Sequence, residues 1–539
     1  MPSNDTEVLI VGAGPVGLTL AIALGQRGIR CTLIEKKAAP EFLPKMERCN
    51  ARTMEMFRRM GLAEKVRAAG LACDIPMDVY IALAMNEAPL LRLKYPSVAE
   101  AKADIATCND GSMPLEPYQL ISQYTLEPLL TCEAERLPSV TVRYGCEFLS
   151  LGQNAEGATA SVRHAAGAAT DIAAQYIVGC DGGASAVRKQ LGITLRGDGD
   201  LLRLYQALYY SPRLYDMIPI GDGPGRGRHY HIADGQSTFL IMQDSTKHWT
   251  LHASVDAPEQ MAGELERTVG VPIQYDMLYV GAWKLNLLLA ERYGSARVFL
   301  AGDAAHLVIP TGGLGMNTGV GDAIDLSWKL AATLRGWGGA NLLASYEIER
   351  RQIGDRNIEA SRYAWLGRRR WRAQYRPDIR DATAAGQATR DNLTRVAAIE
   401  QPKSNEMIGA ELGYRYVDSP IIWEAPGGPE HLFREYVPTT WPGARLPHIW
   451  VGDERPIQDL IGDGYTLLRL GGTAADTSGL EQAMHALEAP FETLTVSETV
   501  ARDVYGYDLI LLRPDMHVAW RGNAAPSDPG QLAARVTGH

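Results

Sequence analysis

Residues 7–37 read EVLIVGAGPVGLTLAIALGQRGIRCTLIEKK, and no charged side chain falls between residues 8 and 25. A run of about 18 apolar residues is long enough to cross a bilayer. Length alone therefore leaves two readings, a membrane span or a folded motif, and the internal punctuation favours the second. Val8, Leu9, Ile10 and Val11 make a strand-type run, Gly12-Ala13-Gly14-Pro15-Val16-Gly17 interrupts it, and residues 18–24 resume with small and apolar residues suited to a helix. A second strand is predicted over residues 30–34. It stops at Glu35, about 20 residues past the glycines, where a ribose-binding carboxylate belongs in a dinucleotide-binding fold. Gly12 permits the tight turn, Gly14 lets a pyrophosphate approach the backbone, and Gly17 lets helix and strand pack closely. The helix N-terminus adds unpaired N–H groups and partial positive charge. The stretch is read as a phosphate cradle, with Pro15 and Lys36 as flanking candidates.

The 539 residues suggest three or four domains' worth of core. A net charge of −10 disfavours non-specific binding to nucleic acid or anionic membrane. The first six residues carry no signal-peptide pattern, so a cytoplasmic protein is expected. The seven cysteines (Cys31, Cys49, Cys73, Cys108, Cys132, Cys146, Cys180) all lie in the first third, odd in number and without a CxxC pair. They are read as buried or incidental thiols, and no metal site is expected.

Residues 50–61 predict a helix capped by Asn50 and ended by Gly61, preceded by a loop that gathers Lys45, Glu47 and Arg48. A second helix is predicted over 120–137, with Gln123 near its start. Strands are predicted over 141–144, 159–163 and 173–178, the last running into CDGGASAVR with Asp181 beside a helix start. From 190 to 290 the texture changes to tyrosines, prolines and alternating stretches such as 237–242 and 249–254, which suit an antiparallel substrate-binding layer. A buried strand over 297–300 then leads through Gly302-Asp303 into a glycine-rich loop, residues 310–319, whose backbone must approach something flat or anionic closely. A helix over 322–334 closes the unit.

GAGPVG with Glu35, CDGGASAVR, FLAGDAAH and GGLGMNTG, in this order and spacing, resemble the class A FAD-dependent aromatic hydroxylases, and within them the longer phenol and polyketide hydroxylases. The resemblance implies an α/β fold: a Rossmann-like FAD-binding domain (1–189 and 291–400), an inserted antiparallel-sheet substrate domain (190–290) and a thioredoxin-like C-terminal domain (401–539). It implies one non-covalent FAD, with NADPH or NADH as co-substrate. Glu35 would hold the adenosine ribose, Lys45 or Arg52 and Gln123 the pyrophosphate and ribityl region, and Asp303 the ribityl chain. Amides around Gly315, Met316 and Asn317, in the loop containing Pro310 and Gly313, would meet the flavin's pyrimidine edge, and Asp181 belongs to a motif linked to both FAD and nicotinamide use. Two departures stand out. The chain reads GVGDAIDL, with Gly321 where relatives carry glutamine and Asp325 where they carry asparagine, and Glu47 stands in a loop where some phenol-oxidising relatives have histidine.

The implied reaction is hydroxylation of a phenolic or polycyclic aromatic ring by O2 through a C4a-hydroperoxyflavin. Glu47 and Arg48 are the catalytic candidates, and Tyr205, Arg226, Arg228, His229 and Trp283 the substrate candidates. A halogenase or oxidase on the same fold, or a flavin-free binding protein of the GDP-dissociation-inhibitor type, are the alternatives. The halogenase lacks its WxW signature here. Residues 340–400, with LGRRRWRAQYR, are read as helices whose charges form a solvated face or a subunit contact, as in a homodimer. From about 405, four stretches including GYRYVDSPII and PGARLPHIWV read as strands and turns. No cysteine lies in that region, so it cannot exchange disulfides.

Overall fold

The computed structural model describes residues 6–539 other than 166, 424 and 474; residues 1–5, where the absence of a signal peptide was expected, lie outside the described residues. The organising element is a sheet whose parallel centre runs Val298–Leu300, Ala169–Gly179, Thr6–Val11, Cys31–Glu35, Val140–Tyr144. Thr6–Val11 is covered on both faces, which explains its unbroken apolar run. The cradle helix Pro15–Gln26 packs on the long helix Gly315–Arg335. Its apolar face is thus buried in protein, and no helix among the described residues is long and apolar enough to cross a membrane.

A seven-stranded sheet stands beside this unit, in the order Asp276–Lys284, Arg203–Tyr210, His248–Ala253, Phe239–Met242, His229–Ile232, Val79–Ala82, Leu91–Leu93. It differs from the expected 190–290 layer in two ways. Two strands come from residues 79–93, one of them pairing in parallel with His229–Ile232. Leu195–Asp198 and Leu287–Ala290 leave it to pair with each other, and Leu287–Ala290 pairs on its other side with His306–Leu307. Strands 239–242 and 248–253 pair antiparallel as read.

Local differences have local causes. The helix over 120–137 begins only at Gln123, because Gln119–Leu120 is taken up as a strand against Arg48–Cys49. Asn50 does cap the helix Ala51–Arg59, its Oδ1 accepting from Thr53 N at 2.9 Å. The closing helix starts at Gly315, not 322, so half of the glycine-rich loop is helical.

The C-terminal part forms a mixed four-stranded sheet, Phe491–Val496, Tyr465–Leu470, Leu509–Leu512, Val518–Gly522, with only the first pair parallel and with helices on both faces. GYRYVDSPII and PGARLPHIWV are mostly irregular: they contribute an isolated bridge between Arg415 and Ala444 and the short strand Trp450–Val451. A buried ionic network locks this unit to the rest. Lys329 Nζ donates to Asp325 (2.7 Å) and Glu349 (2.6 Å), and Arg513 reaches Glu349 (2.5 Å), Asp325 (3.0 Å) and Asp515 (2.6 Å). Both departures in GVGDAIDL are explained here. Asp325 answers Lys329 and Arg513, and a Cβ at Gly321 would sit 2.7 Å from the Arg350 guanidinium, which reaches over it to Asp322 at 2.8 Å.

Candidate active site

One cleft of about 790 Å³ runs from the cradle, past Glu35 and Asp303, to the inner face of the seven-stranded sheet. At its cradle end, Gly12 has φ of 110°, and a Cβ there would lie 2.4 Å from the Cys180 carbonyl oxygen. A Cβ at Gly17 would lie 2.0 Å from the Gly12 oxygen, so this glycine serves the packing of helix on turn. Gly14 is different. A Cβ there would meet nothing nearer than Glu127 Oε1 at 3.9 Å, and would project into open cleft. Glu35 closes the floor, accepting from Ala13 N (2.9 Å) and Lys37 N (3.1 Å).

At the middle of the cleft, Thr318 is the first residue of the closing helix whose N–H is claimed by the preceding turn, bonding Leu314 O at 2.8 Å. The amides of Gly315, Met316 and Asn317 are therefore free donors at a helix N-terminus that lines the cleft. The Asn317 side chain is a strut: it accepts from Asn50 N (2.9 Å) and donates to Gly313 O (2.6 Å) and Arg48 O (3.2 Å). Asp303 opens into the cleft between these two ends, and Gly302 beneath it donates to Asp322 at 3.0 Å. Pro15, Lys36, Lys45, Gln123, Pro310 and Gly313 also line the cleft. Asp181 lines it too, but its carboxylate is occupied in accepting from Ser185 Oγ, Ala186 N (2.6 Å) and Val187 N (3.2 Å) at a helix start.

Arg52 is elsewhere. It pairs with Glu55 (3.4 Å) and donates to Asp515 O (3.2 Å), lining a second cavity against the C-terminal unit, so it is not a pyrophosphate ligand. The helix that begins at Ala51 turns it away from the cleft, whereas Arg48, ahead of that helix, faces in and donates to Gly312 O at 2.8 Å.

The substrate end obeys strand alternation. Gln206, His229, Phe239, Ile241, Gln243, Thr250, His252, Tyr279, Gly281 and Trp283 face the cleft. Their neighbours, Tyr230, Leu240 and Leu251 among them, face the core behind the sheet. Tyr205, next to Gln206, shares that rear side, and Arg226 lies over the Tyr215 ring (4.6 Å to its centroid), so neither lines the cleft. His252, Gln206 and Arg368 were missed. The first two follow from the parity set by His229 and Trp283. Arg368, half-buried, follows from the three- and four-residue spacing from the buried Ala364, Trp365 and Trp371 on the helix Ala340–Arg372, where the arginine-rich run is only partly solvated.

Glu47 is ion-paired to Arg228 and lies 3.5 Å from His229 Nε2. Burial opposes its ionisation, but Arg228 first, then His229 and Arg48, outweigh this and hold the carboxyl well below the usual range. Such a group takes up no proton near neutral pH, so Glu47 is an anchor for Arg228, not a general base. Arg48 is an anchor as well, tied to Glu411 at 3.3 Å. Burial, then Arg228, lower His229 to about 4, and it is neutral at physiological pH.

Residues 5–361 match the FAD binding domain family, and residues 439–538 match the family described as aromatic-ring hydroxylase, C-terminal. The chain belongs to the FAD-binding aromatic hydroxylases. It is 32% identical to the FAD-dependent monooxygenase apdD of Emericella nidulans, over 99% of this chain and 90% of that protein. Among solved structures, RebC with bound 7-carboxy-K252c superposes with a TM-score of 0.90 at 30% identity, covering 99% of both chains. A ternary complex of aklavinone-11 hydroxylase with FAD and aklavinone gives 0.84 at 27% identity, covering all of both chains.

The hydroxylase is therefore an FAD-dependent monooxygenase, and its residues fit the cofactor. The open space above Gly14 is where a pyrophosphate would lie against the backbone, with the free amides of the cradle helix beside it. Glu35 would hold the ribose, Asp303 the ribityl hydroxyls, and the amides of Gly315–Asn317 the pyrimidine edge. When bound, FAD supplies activation of O2 for insertion of one oxygen atom into the substrate ring. The chain's own part is to orient the ring against the inner face of the sheet, to keep water out, and to place positive helix-terminal dipole where negative charge develops.

Proposed function

We propose that this hydroxylase uses NAD(P)H and O2 to hydroxylate a polycyclic phenol of the aromatic-polyketide type. The observation that carries the reading is the single continuous cleft: cradle, free helix-terminal amides and an aromatic-lined sheet face share one cavity, so cofactor and a flat substrate would meet edge to edge. Phe239, Trp283 and Tyr279 offer ring faces, and Gln206, Gln243 and Thr250 offer hydrogen bonds for ring oxygens. The names of the relatives, a hydroxylase in complex with aklavinone among them, support the same substrate class. We further infer a thioredoxin-like C-terminal domain without redox activity, supported by the mixed sheet with helices on both faces and by the absence of cysteine beyond residue 180.

The test is turnover of a polycyclic phenol under labelled dioxygen. One labelled atom is expected in the product ring and the other in water. An unlabelled product, or NAD(P)H oxidation that yields only hydrogen peroxide, overturns the reading.

A further inference from the structure

The substrate end of the cleft holds more positive charge than the protein answers. Arg228 is paired with Glu47, and Arg48 with Glu411 and the Gly312 carbonyl. Arg372 donates to the carbonyls of Ile232 (3.1 Å) and Thr238 (3.0 Å) and lies 3.8 Å from Asp234. Arg368 stands apart. Its guanidinium lines the cleft, its Nε is buried without a partner, and neither Nη forms a hydrogen bond or ion pair with any described residue. It lies over the face of Phe239, 4.9 Å from the centroid, and feels the charge of Glu47 without an ion pair to it. A cation–π contact of this kind satisfies none of the guanidinium's five N–H donors. The buried Nε lacks an acceptor, and the two Nη groups open into the cleft, free to take one from a bound molecule.

What surrounds Arg368 points to the kind of group that completes it. His252 stacks on Phe239 at 4.4 Å and lies 5.5 Å from Trp283, a platform for a flat ring. His229 and His252 are neutral, lowered chiefly by burial, so neither competes with Arg368 as a cation, and each keeps a ring nitrogen without a hydrogen-bond partner. The nearest carboxylate, Glu47, is already claimed by Arg228. The cradle, where the cofactor's own phosphates would lie, is at the opposite end of the cleft.

We infer that Arg368 is a specificity-determining residue that receives a carboxylate on the aromatic substrate, so that the preferred substrate is a polycyclic phenol carrying an acid group. This rests on the substrate reading above and narrows it. The planar guanidinium matches a carboxylate in bidentate geometry, and its two Nη groups open into the cleft where such a group would arrive. The long helix supplies the residue because position 368 falls beside its buried stripe, one turn on from Ala364 and Trp365 and one turn before Trp371.

The experiment uses the FAD-loaded protein and two probes of one ring system, rhein, which carries a carboxylate, and aloe-emodin, which carries a hydroxymethyl group in its place. Binding is read from the perturbation of the flavin spectrum. The wild type is expected to bind rhein about tenfold to a hundredfold more tightly than aloe-emodin. Arg368→Gln should abolish this preference while aloe-emodin affinity and flavin content persist, and Arg368→Lys should restore part of it. Equal affinity for the two probes in the wild type, no binding of rhein, or a Gln variant that loses both probes alike overturns the inference. If rhein binds with the expected preference but takes up no labelled oxygen, the hydroxylation reading fails and the carboxylate site stands. If aloe-emodin is hydroxylated and rhein holds no advantage, the reverse is true.

Discussion

Gly14 and Gly17 sit three residues apart and do different work, and substitution separates them. Gly14→Ala places a methyl group in the open cradle, so the apoprotein should keep its melting temperature while FAD affinity falls by about 1–3 kcal/mol, measured by flavin titration. Gly17→Ala drives the methyl into the Gly12 carbonyl, and loss of soluble, folded protein is expected instead. Asp303→Ala should weaken FAD binding by about 1.5–3 kcal/mol, through loss of charge-assisted hydrogen bonds to the ribityl hydroxyls, with folding retained. The histidines behind the substrate give a pH dependence. Burial, with Arg368 adding to it, lowers His252 to about 3, against an ordinary value of 6.5. Between these values the unfolded chain binds the extra proton and the folded chain does not. The stability His252 contributes is therefore complete above about pH 6.5 and is lost as pH falls towards 3. The melting temperature should drop across that window, and His252→Gln should flatten the slope. A variant with the wild-type acid profile would remove His252 from the account.

At the level of elements, the closing helix Gly315–Arg335 has two jobs: its first turn faces the cleft and its later turns carry the ion pairs that hold the C-terminal unit. Arg513→Met leaves Glu349 and Asp325 buried with only Lys329 between them, and should cost about 3–5 kcal/mol. Gly321→Gln, which installs the residue relatives carry, collides with Arg350 and should cost about 1–3 kcal/mol unless Arg350 is shortened as well. Because Arg350→Ala alone unpairs the buried Asp322, the expected sign of the collision is a double-mutant cycle, read by urea unfolding, in which Gly321→Gln costs less in the Arg350→Ala background than in the wild type.

On the scale of the whole molecule, the C-terminal unit covers apolar surface that the rest of the chain cannot hide. Trp328, Ala332 and Leu342 are buried in one cluster with Tyr465, Leu467, Leu511 and Leu532. Truncation before residue 405 should expose this face, lower the melting temperature and promote aggregation, seen by light scattering. A soluble truncation with full activity would contradict a structural role. Reductant should leave turnover unchanged, since all seven cysteines are free and none lies beyond residue 180.

The sequence by itself determined whatever rests on contacts local in the chain. Strand, glycine turn, helix and second strand lie within some thirty residues, so the turn at Gly12, the packing at Gly17 and the place of Glu35 at a strand end were legible, as was the Asn50 cap, which reaches only to Thr53. Asp303 and the 310–319 loop were legible because their glycines admit backbone geometry that other residues resist. Tertiary structure decided what depends on partners hundreds of residues away. Glu47 reads as a catalytic candidate until Arg228 is brought against it, and Arg52 as a cofactor ligand until its helix turns it towards Asp515. Arg368 looked like one more surface charge in an arginine-rich run. Only the packing of its helix over the seven-stranded sheet makes it a cleft-lining cation with a buried Nε and no paired anion, because charge pairing is set by distance in space, which sequence separation does not encode.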